Sequence, residues 1–249
     1  MKAILTYHSI DDSESPISVS REVFEGHVRW LAKSGLQVVA LDRIQELPHD
    51  ANAVAITFDD GFENFATHAW PVLKDHGFPV TMFVVTDRAG QTNRWKSPRF
   101  PEAPQLPLLS WQELGVLVES GVVLGSHTRQ HFDLRTISDM QLLDEIAGAS
   151  MRIASETGST PSSFAYPFGA YDERVTNAVR AAHAIACTTD FRFMRRSEDP
   201  ARLPRLDAYY FRRAGILEGW GTGKFERYVW MRANGRRLRR ALELTGVRL

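Results

Sequence analysis

Ala53-Val-Ala-Ile-Thr-Phe-Asp-Asp-Gly61 is the stretch from which the fold can be worked out. Six residues of strand-forming or small apolar character run straight into two carboxylates and a glycine. A continuous apolar run of this length suits a strand buried on both faces, as in a parallel sheet. The polar residues then fall at its carboxyl end. Outward from this stretch the pattern repeats. Strand candidates cover 2–7, 36–41, 53–57, 79–85, 122–125, 163–166 and 184–188. Helix candidates cover 20–34, with Phe24, Val28 and Leu31 on one face and Gly35 as the stop, then 63–76, 111–120, 139–157 and 172–182. Ser110-Trp-Gln-Glu113 and Ser138-Asp-Met-Gln141 have the spacing of capping boxes. Strand and helix alternating over most of the chain predicts parallel strands joined by crossover helices. About seven units favour a distorted (β/α) barrel over an open sheet. Past residue 205 the rhythm stops, so a barrel over 1–205 and a basic helical extension over 206–249 are expected, the latter packed on the barrel or forming a tail.

Composition narrows the function. The 249 residues are 43% hydrophobic and 24% charged, a globular balance that excludes collagen, coiled coil and disorder. A single cysteine, Cys187, excludes an internal disulfide framework and any Cys-only zinc cluster. No apolar run approaches a membrane span, and the opening Met-Lys-Ala-Ile-Leu-Thr-Tyr-His has no signal-peptide pattern, so the expected location is the cytoplasm or the membrane periphery. The net charge of zero hides an imbalance. Residues 201–249 carry 12 Lys and Arg against 4 Asp and Glu, a net of +8. Such an end suits contact with anionic lipid or a phosphate-bearing substrate, or a solvated helix on an acidic domain. No nucleic-acid motif accompanies it. Gly219-Trp-Gly-Thr-Gly-Lys224 fails as a phosphate loop, because Glu218 stands where glycine is needed and Phe225 where Ser or Thr is. No Gly-x-Ser-x-Gly elbow occurs.

Four polar clusters each follow a strand candidate, and in a barrel those ends converge on one face. In the first, Asp59 and Asp60 repel each other unless a cation or a proton separates them. One could bind a metal while the other takes a proton from water, although Asp-Gly is also an ordinary turn pair. In the second, Gly125-Ser-His-Thr-Arg-Gln-His131, two histidines four apart span one helical turn and could reach one ion. Two His and a carboxylate leave positions open for water and substrate. In the third, Phe164-Ala-Tyr-Pro-Phe-Gly169, Pro and Gly fix an irregular backbone whose N–H could face an oxyanion; a plain strand-ending turn reads the same way. The fourth, Tyr7-His-Ser9, would open His8 onto the same face, although a lone histidine is more often structural.

Together, Thr57-Phe-Asp-Asp-Gly61, the His127/His131 pair and the Tyr166-Pro-Phe-Gly169 turn resemble the polysaccharide deacetylases, the NodB-like carbohydrate esterases. Order and spacing agree over about residues 1–190, and Pro79-Val-Thr-Met-Phe-Val and Leu109-Ser-Trp-Gln-Glu-Leu extend the likeness. The opening Tyr-His-Ser-Ile is similar to the subgroup that makes exopolysaccharides. The resemblance implies a metal-dependent hydrolase that removes acetyl groups from N-acetylated sugars of a polysaccharide, oligosaccharide or lipid-linked glycan. It implies Asp60, His127 and His131 as metal ligands, Asp59 as general base toward metal-bound water, and the Phe168 amide as oxyanion donor. A divalent ion is expected, zinc first, with cobalt, nickel or iron also suited to imidazole and carboxylate. Two features depart from the family pattern. Its arginine three residues before the aromatic of the third motif is Ala165 here. Its late Leu-x-His, the source of the general acid, has no counterpart, since no histidine follows His183. His8 is the candidate acid in its place; another group, water, or a non-catalytic glycan-binding relative are the alternatives.

Overall fold

In the computed structural model, residues 1–95 and 104–244 are described, the side chains of 239–244 excepted. Ten strands form: β1 (Lys2–Tyr7), β2 (Ser9–Ile10), β3 (Ser18–Val19), β4 (Gln37–Val38), β5 (Ala53–Phe58), β6 (Val80–Val84), β7 (Val123–Ser126), β8 (Ser163–Ala165), β9 (Ile185–Cys187) and β10 (Leu206–Asp207). Eight of them make one parallel sheet in the order β10-β1-β5-β6-β7-β8-β9, with β4 on β5; β2 and β3 pair separately. The sheet curls into a distorted (β/α) barrel. Between its two end strands, Leu203 accepts from Thr188 and donates to Ala186 through the backbone, and Arg205 Nε donates to the Thr188 carbonyl.

The helices are α1 (Arg21–Lys33), α2 (Trp70–Asp75), α3 (Trp111–Glu119), α4 (Asp139–Leu143), α5 (Ala149–Thr157), α6 (Glu173–Ala182) and α7 (Gly223–Leu244). Their starts follow the sequence signals. Ser20 caps α1, Ser110 and Ser138 form complete capping boxes, and Asp172 caps α6. Each cap satisfies backbone N–H groups that the first turn leaves without partners. The buried face of α1 is Phe24, His27, Val28 and Leu31, the spacing of one helical stripe. Helix α2 is extended at its start by a π-helical turn, Phe65–Ala69, and α4 runs into α5 through another, Asp144–Gly148.

Both faces of the central strands are buried, β5 along its whole length. One face packs under the helices with Leu5, Val54, Ile56 and Met82. The other fills the barrel with Ile4, Ala55, Phe83, Ala165 and Cys187. Gly125 makes room for the Phe83 ring: a Cβ there would stand 2.4 Å from Phe83 Cδ1 and 2.7 Å from Ser163 Oγ.

The strand rhythm continues for one short element beyond residue 205. β10 pairs with β1, Leu5 opposite Leu206. Phe211, Leu217, Phe225 and Val229 belong to the same buried cluster as Phe24 and Val28. His27 ties the segments together. Its Nε2–H donates to the Phe211 carbonyl (3.1 Å), and Nδ1 accepts from Tyr7 OH (3.0 Å). A carbonyl can only accept, which fixes that tautomer.

Gly125→Ala is expected to lower stability by about 1–3 kcal/mol, the range for overpacking a filled core. Denaturant unfolding reads this as a lower midpoint at unchanged slope; an unchanged midpoint would contradict the packing described.

Candidate metal centre

The carboxyl ends of β1, β5, β7 and β8 meet at one end of the barrel, and each delivers one of the polar clusters. β5 ends at Phe58, and the next two residues, Asp59 and Asp60, are buried. β7 ends at Ser126 and His127 follows; His131 returns to the same place after one irregular turn. The histidines do not lie on a regular helix. Thr128 and His131 both take positive φ (69° and 62°), and Thr128 Oγ1 accepts from the His131 N–H at 2.9 Å. The turn is clasped from below by Glu145, itself buried, whose Oε2 accepts from the N–H groups of Arg129 and Gln130 at 2.9 Å each.

Asp60 Oδ1 lies 3.5 Å from His127 Nε2 and 3.5 Å from His131 Nε2. Bonds of 2.0–2.1 Å in tetrahedral geometry separate ligand atoms by about 3.3 Å, so the spacing suits one ion. Two further observations bear on that fit. Asp60 Oδ1 and His131 Nδ1 are buried with no hydrogen-bond partner among the described residues, which is costly for polar atoms unless something else satisfies them. And His127 Nδ1 lies 2.7 Å from the Ala165 carbonyl, which can only accept. Nδ1 therefore carries the proton and Nε2 turns a lone pair inward, the usual arrangement that orients a metal-ligating imidazole. The three residues fit a divalent ion. Without one, charge is shared unevenly. Burial and the charge of His127 push His131 down to about 3. Burial also disfavours His127 as a cation, but Asp60, Asp59 and the Ala165 carbonyl outweigh it and the net shift is upward.

Asp59 belongs to a different network. Its two oxygens accept from Arg205 Nη1 and Nη2 at 2.6 Å each. Arg205 is 1% exposed and stands at the edge of β10; Nη1 also reaches Thr6 Oγ1 at 3.1 Å, and the guanidinium lies over the Phe83 ring. Burial alone would raise the Asp59 carboxyl, but the charge and hydrogen bonds of Arg205 overcome it and hold the group well below the usual carboxylate range. The cation beside Asp59 is thus Arg205, while position 165 is an alanine. His8 completes the group: Nε2 lies 3.8 Å from Asp59 Oδ2, and the side chain is 23% exposed, against 4% for Asp59. Phe168 sits at φ 59° on the turn after β8, with its ring edge-on to His131 at 4.5 Å; Trp95 stacks on that imidazole, also at 4.5 Å.

The structure therefore brings together all six residues singled out in the sequence: His8, Asp59, Asp60, His127, His131 and Phe168. Sequence reasoning missed Arg205, Glu145 and Trp95. The signal for Arg205 is slight, an arginine inside the apolar stretch Leu203-Pro-Arg-Leu206. Four non-glycine residues have positive φ among the described residues: Asp60, Thr128, His131 and Phe168. All four line this site, and backbone strain that clusters in this way is characteristic of functional centres.

The family model described as polysaccharide deacetylase matches residues 46–185, more than half of the chain. This protein belongs to the polysaccharide deacetylase family. Among curated relatives, the chain is 26% identical over 193 residues to YxkH of Bacillus subtilis (strain 168), named as a polysaccharide deacetylase, covering 75% of this chain and 64% of that one. It is 26% identical over 151 residues to the poly-beta-1,6-N-acetyl-D-glucosamine N-deacetylase of Escherichia coli (strain K12), covering 56% of this chain and 22% of that one. The chain thus spans less than two thirds of the length of these relatives. Among solved structures, IcaB from Ammonifex degensii superposes with a TM-score of 0.68 at 23% identity, covering 84% of this chain and 93% of that one. The polysaccharide deacetylase BC0361 from Bacillus cereus gives 0.69 at 25%, covering 83% and 64%.

Elemental analysis of protein purified without chelator should find about one divalent ion per chain, lost in His127→Ala and kept in Asp59→Asn. Affinity should rise with pH, because a proton on His127, whose pKa is raised, competes for the ligand atom. Absence of bound ion after zinc is added, or retention in His127→Ala, would contradict the assignment.

Proposed function

We propose that the protein is a metal-dependent N-deacetylase acting on N-acetylated sugars of a poly- or oligosaccharide or a lipid-linked glycan. The observation that carries this reading is the pair of adjacent aspartates with opposite roles. Asp60 faces two imidazoles with an otherwise unsatisfied oxygen, while Asp59 is held ionised by Arg205. A pure glycan-binding protein has no need of that division.

A divalent ion held by Asp60, His127 and His131 would supply Lewis acidity at the acetyl carbonyl. Zinc suits the donor set best, and cobalt, nickel and iron also suit it. The remaining steps fall to the chain. Asp59, kept as a carboxylate, takes a proton from the attacking water as its oxygen bonds to the carbonyl carbon. The Phe168 amide donates to the oxygen on which negative charge develops. His8, on the open side of Asp59, gives a proton to the amine nitrogen as the C–N bond breaks, and acetate and the free amine leave. Arg205 does not meet the substrate. It holds the orientation and charge of Asp59, and its two hydrogen bonds fix both carboxylate oxygens.

Beyond β2, a groove of about 590 Å³ is lined by Tyr209, Tyr210 and Tyr228 together with Arg212, Arg213 and Arg232. The Arg212 guanidinium lies over the Tyr209 ring and that of Arg232 over Tyr210 and Tyr228, and these groups offer donors to hydroxyl or phosphate oxygens.

Acetate release by the zinc-loaded protein from a panel of N-acetylglucosamine oligomers and polymers tests this reading. His8→Ala should lower kcat by roughly 10²–10⁴-fold, the usual contribution of a general acid, with metal content unchanged. Asp59→Asn should lower it at least as far. Equal rates in wild type and Asp59→Asn, or an acyl product other than acetate, would overturn the proposal.

A further inference from the structure

Helix α7 has one face that the fold uses and one that it does not. Phe225 and Val229 are buried in the core at 2% and 3% exposure. On the same side, Tyr228 OH donates to the Tyr210 carbonyl at 2.6 Å, and Arg236 donates to Tyr210 OH and to the Thr189 carbonyl. These contacts fix the rotation of the helix. The opposite face therefore has to look outward, and it carries Trp230, Met231 and Leu238, exposed at 66%, 53% and 64%. At 100° per residue these three fall within one arc of about 100°, which the half-buried Asn234 shares. Exposed Arg227 lies in the middle of that arc and exposed Arg237 at its edge, and neither forms an ion pair among the described residues. Over 223–249 the sequence holds 8 Lys and Arg against 2 Asp and Glu.

We infer that the outer face of α7 docks onto an anionic lipid surface. A tryptophan beside arginines on an amphipathic helix is the composition of an interfacial segment: the apolar side chains enter the headgroup boundary and the cations meet lipid phosphates. The charge pattern selects this occupant over a second copy of the chain. A symmetric dimer on this face would set arginines against arginines around its axis. No helix among the described residues is long and apolar enough to cross a membrane. This inference does not depend on the deacetylase reading, since it uses no residue of the metal centre.

The test is co-sedimentation of the full chain with vesicles of phosphatidylcholine alone or mixed with phosphatidylglycerol. Wild type should bind the anionic vesicles and release them as salt is raised. Trp230→Ser with Leu238→Ser removes the apolar contribution, and Arg227→Glu with Arg237→Glu reverses the charges. Each pair should weaken binding about tenfold or more. Far-UV circular dichroism and the thermal unfolding midpoint should remain unchanged in both, which shows that the fold is kept whether or not the protein is a deacetylase. Failure of wild type to bind anionic vesicles would overturn the inference. So would binding by either variant at wild-type strength, or a wild-type dimer in solution that Trp230→Ser with Leu238→Ser dissociates.

Discussion

The ion pair between Asp59 and Arg205 is the constraint on which the rest of the site depends. Two opposite charges are buried at the centre of the barrel, where each alone would be expensive to desolvate. Together they are tolerable because the geometry is bidentate and the remaining guanidinium hydrogens find Thr188 and Thr6. Removing one partner would leave an uncompensated buried charge, a cost of about 3–5 kcal/mol. The pair also settles a chemical question. Two adjacent aspartates at a strand end could share a proton, or one could be neutral. With Arg205 committed to Asp59, that carboxylate stays ionised and Asp60 is left to face the imidazoles. The division of labour between two neighbouring, chemically identical side chains is thus set by a residue 146 positions away.

The barrel gives this pair its surroundings. Parallel strands bring their carboxyl ends to one rim, so residues far apart in sequence become neighbours without long side chains. Fine placement then falls to irregular backbone. Asp60, Thr128, His131 and Phe168 take positive φ, an uncommon conformation for side chains of this kind. Glu145 supports the histidine turn by accepting from two of its N–H groups, and the Ala165 carbonyl sets the tautomer of His127. The site is therefore held from four strand ends and one helix connection, and its geometry does not rest on a single loop.

Much of this was legible in the sequence. Apolar runs ending in Asp-Asp, Ser-His and Tyr-Pro-Phe-Gly identified strand ends and their polar residues, because a buried parallel strand has a distinct apolar signature and a polar residue at its end stands out against it. Capping boxes marked helix starts for the same local reason. What was not legible is what depends on long-range pairing. β10 has two residues, too few for any periodicity, and it follows a proline. Arg205 therefore stood as the last residue of the expected barrel with nothing to mark it, and only the pairing of Leu206 with Leu5 brings it to Asp59. Ala165 read as a departure from the family pattern, and the cation beside Asp59 is Arg205, next to β10. Glu145 was hidden in the middle of an acidic, helix-forming stretch where a carboxylate usually faces solvent.

The central claim is that Arg205 keeps Asp59 ionised in the folded protein. The direct measurement is the carboxyl carbon chemical shift of Asp59 as a function of pH in aspartate-labelled protein, assigned by comparison with Asp59→Asn. A folded-state pKa below the unfolded value means that the pair stabilises the fold above the ordinary aspartate pKa of about 3.9 and loses that contribution only as pH falls through the lower, folded-state value. The account predicts an ionised Asp59 signal that does not titrate across the acidic range in which the protein stays folded. A titration midpoint at or above about 4 would contradict it.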